Sequence, residues 1–227
     1  MKERFSVDGD DLKRLDAWLA RLGGPGYKGF EDRDEAVAEM RATGTDRLLP
    51  LLIPMLAAED AETRCAACEA ILWVDTQRGV ELVLPLLNDA DEVVRWVACE
   101  CLGSFGDERC VSPLVAVLQS DEDAMVRGTA ARALGKLGDP AVIPALLATM
   151  ASDHEKDMHG HSPSGCAATA LDDLVDTNET RIKISETLCR MRKGKADLDR
   201  LRRLAEERYQ PWLGSRADKP VREIRHI

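Results

Sequence analysis

The chain is 227 residues long, carries 31 Lys and Arg against 41 Asp and Glu for a net charge of −10, and is only 4% aromatic. The sum conceals a split: residues 179–227 hold 14 basic and 8 acidic side chains, net +6, whereas residues 1–178 hold 17 and 33, net −16. So acidic a body repels phosphate backbones, which excludes general nucleic-acid binding, and its longest charge-free runs, Pro140–Ser152 and Met158–Leu171, fall short of the roughly 17 to 25 residues of a membrane span.

The opening segment MKERFSVDGDD has neither an apolar stretch nor a small-residue cleavage site, so no secretory signal is expected. Seven cysteines, an odd number without framework spacing, fit a reducing cytoplasm. Asp11–Leu22 reads as an amphipathic helix with Leu12, Leu15, Leu19 and Leu22 on one side. A Gly-rich loop over 23–30 follows, without the glycine and lysine order of a phosphate-binding loop, and then a helix over Glu31–Ala42. Residues 1–44 are therefore expected to form an N-terminal capping pair, whose outer face meets water.

From there the text repeats. Stepping back from Arg127 by 32, 31 and 31 residues reaches Arg95, Arg64 and Arg33. An Asp stands four residues before three of these arginines, at Asp60, Asp91 and Asp123, where a carboxylate caps the free amides of a first turn. A second Asp recurs at Asp75, Asp107 and Asp139, placed to cap the next helix. Three, four and seven residues after each Arg lie small or apolar side chains, as in Ala130, Ala131 and Leu134, which is the spacing of one buried helical face. The predicted pairs are Thr45–Ala58 with Asp60–Val74, Thr76–Asn88 with Asp91–Phe105, Asp107–Ser120 with Asp123–Leu137, and Asp139–Ala151 with Ser164–Val175. The last is delayed by a His-rich insertion of about five residues within 152–163. Asn178–Arg192 and Lys195–Gln210 are expected to form a charged C-terminal capping pair over 178–212, followed by a tail over 213–227.

The stretches VRGTAARALGKLGDPAVIPALL and VRWVACECLGSFGDERCVSPLVAVL resemble HEAT repeats, in particular the short kind called phycobilisome-lyase HEAT-like repeats. The resemblance runs from about Asp46 to Val175, although the period is shorter than the roughly 40 to 47 residues usual for such arrays. It implies an all-α fold, a right-handed α-solenoid of about six helix pairs, with the Pro-bearing helices outside and the Arg-bearing helices lining a concave face over 45–177. It also implies that the repeated Arg pairs with a loop Asp, for which Asp60, Asp91 and Asp123 are available, rather than with a phosphate.

Several groups of residues carry chemistry. Cys65 and Cys68 form a CxxC one repeat before Cys99 and Cys101, a spacing that suggests a four-thiolate zinc site. Yet Cys68 and Cys99 occupy the slot of Ala131, as small buried hydrophobes do. His154, His159 and His161 fall in the insertion among Asp153, Glu155 and Asp157, a set able to hold a divalent metal or simply to solvate a loop. One, five and nine residues after each Arg runs a strip that the core does not need, including Glu69, Trp73, Trp96, Glu100, Arg132 and Lys136. Trp and Arg are favoured interface anchors, and the alternative is that Trp73 and Trp96 fill space between adjacent helices. Arg200, Arg202, Arg203, Arg208 and Arg216, with Tyr209 and Trp212, make a basic end suited to an acidic partner or to a charged cap.

The reading that follows is a non-catalytic, cytoplasmic scaffold. It binds another protein or peptide through the concave strip and through the edge that carries the loops at 23–30 and 152–163. A phycobilin-lyase-like enzyme or chaperone, implied only by the resemblance, and a metal-binding module built on the His-rich insertion are the alternatives.

Overall fold

The computed structural model of the chain describes residues 9–22, 30–153, 155–157 and 160–174. Among them are ten α-helices and no strand. Residues 23–29 of the Gly-rich loop expected over 23–30, the expected C-terminal pair and the tail lie outside the described residues, as do His154, His159 and the basic end, whereas Phe30 already belongs to a helix. The chain divides into two compact units, Met1–Pro113 and Leu114–Ile227.

The first unit contains α1 (Gly9–Leu22), α2 (Phe30–Thr43), α3 (Thr45–Met55), α4 (Ala61–Val74), α5 (Thr76–Val83) and α6 (Glu92–Phe105). α7 (Val111–Ser120) spans the division, and the second unit continues with α8 (Ala124–Leu137), α9 (Ile143–Ser152) and α10 (Pro163–Leu174). The expected aspartate caps are formed. Asp60 accepts the Thr63 N–H at 2.7 Å, Asp91 that of Val93 at 2.9 Å, and Asp123 those of Met125 and Val126 at 2.8 and 3.0 Å. Each carboxylate satisfies amides that a first helical turn leaves without a carbonyl partner.

The second set of aspartates also caps, with a difference. Asp75 opens α5 by accepting the Arg78 N–H at 3.0 Å. Asp107 and Asp139, accepting from Arg109 and Ala141 at 2.9 and 2.8 Å, open short 3₁₀ turns, Glu108–Cys110 and Pro140–Val142, ahead of α7 and α9. The helix predicted over Thr76–Asn88 likewise tightens into a 3₁₀ turn at Leu84–Asn88. Pro85 has no N–H to offer the Glu81 carbonyl, so the regular α ladder stops there.

In the first unit, Leu15, Trp18 and Leu19 of α1 join Ala36, Val37 and Met40 of α2, Leu48, Leu49 and Leu52 of α3, and Ala70 and Ile71 of α4 in one buried cluster. Trp18 satisfies its indole by donating to Glu39 at 2.6 Å. The side chains of Leu12 and Leu22 are outside the described residues. α4 and α6, the successive Arg-bearing helices, pack side by side.

In the second unit, α8 lies against α10, and its glycines explain how closely. A Cβ built on Gly135 would stand 2.8 Å from both the Cα and the Cβ of Ala170, and one on Gly128 would stand 3.2 Å from Cys166 Sγ. The small residues in the Arg-bearing helix thus serve helix approach.

Candidate functional site

The repeated arginine builds the corner of each repeat. Arg64 Nη1 donates to the carbonyls of Ala58 and Glu59 at 2.8 and 2.9 Å, Arg95 Nη1 to those of Asp89 and Ala90 at 3.0 and 3.3 Å, and Arg127 Nη1 to those of Asp121 and Glu122 at 2.8 and 3.0 Å. The carbonyls are always those five and six residues earlier, at the end of the preceding turn. At Arg64 and Arg127 the rest of the fork reaches forward into the next repeat. Arg64 takes both oxygens of Asp89 at 2.9 and 2.8 Å, while Arg127 takes Asp153 at 2.5 and 3.1 Å and Glu155 at 2.6 Å. Bidentate pairing of this kind suits the planar guanidinium.

The expected partners Asp60, Asp91 and Asp123 are therefore corrected. Their oxygens are engaged by helix-start amides, and the ladder carboxylates are Asp89 and Asp153. Asp89, Asp121 and Asp153 recur at a step of 32, a signal that was present in the chain but lies 25 or 26 residues beyond each Arg, outside any single helix. Asp89 and Asp121 each also accept the backbone N–H two residues on, at 2.9 Å. Burial alone raises the Asp89 carboxyl pKa, but the Arg64 guanidinium and the Asp91 amide outweigh it and hold it below the ordinary value. Arg95 and Arg127 are buried, and their forks serve the fold.

Of the predicted strip, Glu69 and Trp73 on α4 and Trp96 and Glu100 on α6 belong to the first unit, all half-buried. Arg132 and Lys136, both exposed, are on α8 in the second unit, and Arg132 Nη2 donates to Thr129 Oγ1 at 3.1 Å. Trp73 packs edge-on to Phe105 of α6, ring centroids 4.6 Å apart at 73°. The Arg41 guanidinium of α2 lies 5.8 Å from the same ring's centroid and donates to the Trp73 carbonyl at 3.0 Å. Trp73 thus joins three successive Arg-bearing helices through positions 41, 73 and 105, again a step of 32. Trp96 stands one turn after Val93, which is 43% exposed. Val93 was missed because a valine in a helical pattern reads as core.

Residues 80–160 match the family model for HEAT repeats. The HEAT-repeat segment includes Arg95, Arg127 and their corners, and the same corner geometry recurs upstream of it at Arg64. No curated protein matches the chain. Among solved structures, an engineered protein known from a crystal structure is similar at 19% identity with a TM-score of 0.46, covering 87% of this chain and 96% of that one.

Around the HEAT-repeat corners the other candidates fall into place. Cys68 and Cys101 are buried neighbours across α4 and α6, and the hydrogen bond between their thiols, together with burial, raises the Cys68 pKa well above its usual value. Cys65 is half-buried, and desolvation followed by the charges of Asp91 and Glu69 pushes it up to about 12. A protonated thiol is a poor nucleophile. At pH 8, iodoacetamide should alkylate Cys65 on the order of 10³-fold more slowly in the folded chain than in urea. Peptide mass spectrometry reads this directly, and equal rates would show that the thiol is not held in this environment.

In the insertion, Asp153 and Glu155 are bound to Arg127, and Asp157 accepts the His161 N–H at 2.8 Å while its other oxygen lies 3.6 Å from His161 Nδ1. Ser164 pins the end of the insertion to its beginning, bonding the Asp153 and Met150 carbonyls at 2.9 Å each. Among the described residues no group of three or more His, Cys, Asp or Glu is arranged to hold a metal ion. A cleft of about 450 Å³ lies between α3 and α5, with Leu49, Ile53 and Leu82 in its walls and the 3.8 Å Asp46–Arg78 pair at its rim.

Proposed function

We propose that the chain is a non-catalytic HEAT-repeat scaffold that holds another protein or a peptide. The observation that carries this reading is the strip on α4 and α6. Glu69, Trp73, Trp96 and Glu100 lie on adjacent, laterally packed helices, each half-buried with the remainder facing outward. Stacked repeats leave an extended surface of this kind for partners, and partly exposed Trp is the residue type that anchors interfaces. Arg132 and Lys136, exposed on α8, are proposed as partner-binding residues of the second unit in their own right. The chain is read as cytoplasmic, with residues 1–44 and 178–212 as its capping pairs. Among the described residues no helix is long and apolar enough to cross a membrane.

Affinity capture from a lysate with quantitative mass spectrometry tests the scaffold reading. The variant Trp96→Ala/Glu100→Ala should lose at least one partner that the unaltered chain retains, with its far-UV circular dichroism unchanged. Capture of every partner at the unaltered level would remove the strip from the binding surface.

A further inference from the structure

The cleft between α3 and α5, within the first unit, plays no part in the strip on α4 and α6. Asp46, Leu49 and Ile53 recur at i, i+3 and i+7 on α3, and Arg78, Glu81 and Leu82 at i, i+3 and i+4 on α5, so each helix turns one face to the opening. Leu49, Ile53 and Leu82 form an apolar wall, with Ile53 41% exposed. The volume of about 450 Å³ lies in the range of small-molecule sites, which are mostly apolar with a few polar groups that fix orientation.

At the rim stand a carboxylate and a guanidinium whose hydrogen-bonding capacity is unspent. Asp46 Oδ1 is 3.8 Å from Arg78 Nη1, and Arg78 Nε is 3.6 Å from Asp75 Oδ2, both too long for hydrogen bonds. Among the described residues these are the only ion pairs of either group, and the Asp46 and Arg78 side chains are 87% and 64% exposed. Glu81, by contrast, is held by Arg109 at 2.7 Å. Taking every charge at the rim with its partners and the exposed neighbour Arg47, Asp46, Asp75, Glu81 and Asp107 stand against Arg47, Arg78 and Arg109. The surroundings are thus within one charge of neutral and favour neither a net anion nor a net cation.

We propose that this cleft binds a free α-amino acid with an aliphatic side chain. Its carboxylate lies on the Arg78 fork, its ammonium on Asp46 and its side chain against Leu49, Ile53 and Leu82. A zwitterion is neutral overall, as the site nearly is, and supplies the hydrogen-bonding partner that each rim group lacks. Its two charged groups flank a single carbon, which suits side chains whose charged ends are 3.8 Å apart. A fatty acid leaves Asp46 unmatched, and an alkylamine leaves Arg78 unmatched. Because the rim is open to solvent, the affinity is on the order of millimolar.

Methyl NMR on the full chain tests the assignment, with leucine as the probe and the Ile53 and Val93 methyls as reporters. Leucine should shift the Ile53 methyls saturably and leave those of Val93, on α6, in place. Leucinamide, which lacks the carboxylate, and 4-methylpentanoate, which lacks the ammonium, should each bind about threefold more weakly, as should leucine to Arg78→Gln or Asp46→Asn. Both side chains are exposed, so these variants keep the fold. Serine should bind more weakly than leucine for want of an apolar side chain. No saturable shift at Ile53, equal shifts at Val93, or leucine binding indifferent to both substitutions overturns the proposal. So does a leucine-initiated peptide that binds as tightly as leucine, which would assign the cleft to a chain end. The site goes beyond the scaffold reading and stands apart from it: Trp96→Ala/Glu100→Ala should leave leucine binding unchanged, and Arg78→Gln should leave strip-dependent capture unchanged, so either reading can fail alone.

Discussion

Replacing Arg127 by Ala lowers the stability of the second unit by about 3 kcal/mol, the largest loss expected from any single charged side chain in the described structure. Its guanidinium is the hub of a corner, donating to two backbone carbonyls, both Asp153 oxygens and Glu155. Removing it leaves Asp153, with 19% of its side chain exposed, without its forked partner, and leaves two carbonyls without donors. Glu155 is 63% exposed and water compensates it, so its share is small. Arg127→Lys should recover less than half of the loss, because an ammonium cannot bridge carbonyls and a bidentate carboxylate together. Urea unfolding monitored by circular dichroism measures the effect. Hydrogen exchange should show the amides of residues 160–166 losing protection first, since Asp153 ties Arg127 to Ser164 at the end of the insertion. A loss below about 1 kcal/mol would mean that the corner is a surface pair of little consequence. Arg109→Ala is the natural control. That guanidinium pairs with Asp107 and Glu81 on the surface, with 36% of its side chain exposed, and its removal should leave the unfolding midpoint almost unmoved.

Gly135→Ala destabilises by about 1–3 kcal/mol, although alanine is the better helix former by about 1 kcal/mol. The added methyl meets the backbone and Cβ of Ala170 at 2.8 Å, closer than packed carbon atoms approach, and neither is the movable end of a side chain. α10 must therefore shift away from α8. Gly128→Ala, about two turns earlier on the same face, meets Cys166 Sγ at 3.2 Å, a side-chain atom that can swing aside. The difference between the two midpoints is the informative quantity. Gly135→Ala as stable as the unaltered chain, with Gly128→Ala the worse of the pair, would contradict the close approach of the two helices at Ala170.

Much of this was legible along the chain because it is local. An aspartate that caps the amides two or three residues on leaves its mark in that short span, so Asp60, Asp91 and Asp123 announced α4, α6 and α8 to within a residue. Small residues at helical spacing announced the packed faces of those helices, and Cys68 and Cys99 were recognisable as core because Ala131 fills their slot. Where proline interrupts the amide ladder at Pro85, a helix turns into a 3₁₀ turn, a refinement that pattern reading passes over. Asp89 and Asp153 escaped as partners of the ladder because the nearer aspartates looked sufficient and were already engaged.

The period of thirty-odd residues, the helix starts and the buried stripes follow from the sequence by itself, since hydrogen bonds and apolar spacing within one or two turns determine them. Tertiary structure alone decided which carboxylates Arg64 and Arg127 grip, that Trp73 meets both Arg41 and Phe105, and that Val93 stays exposed beside Trp96. Those choices depend on how neighbouring repeats stack, and stacking brings together side chains some 25 to 32 positions apart that no local pattern relates.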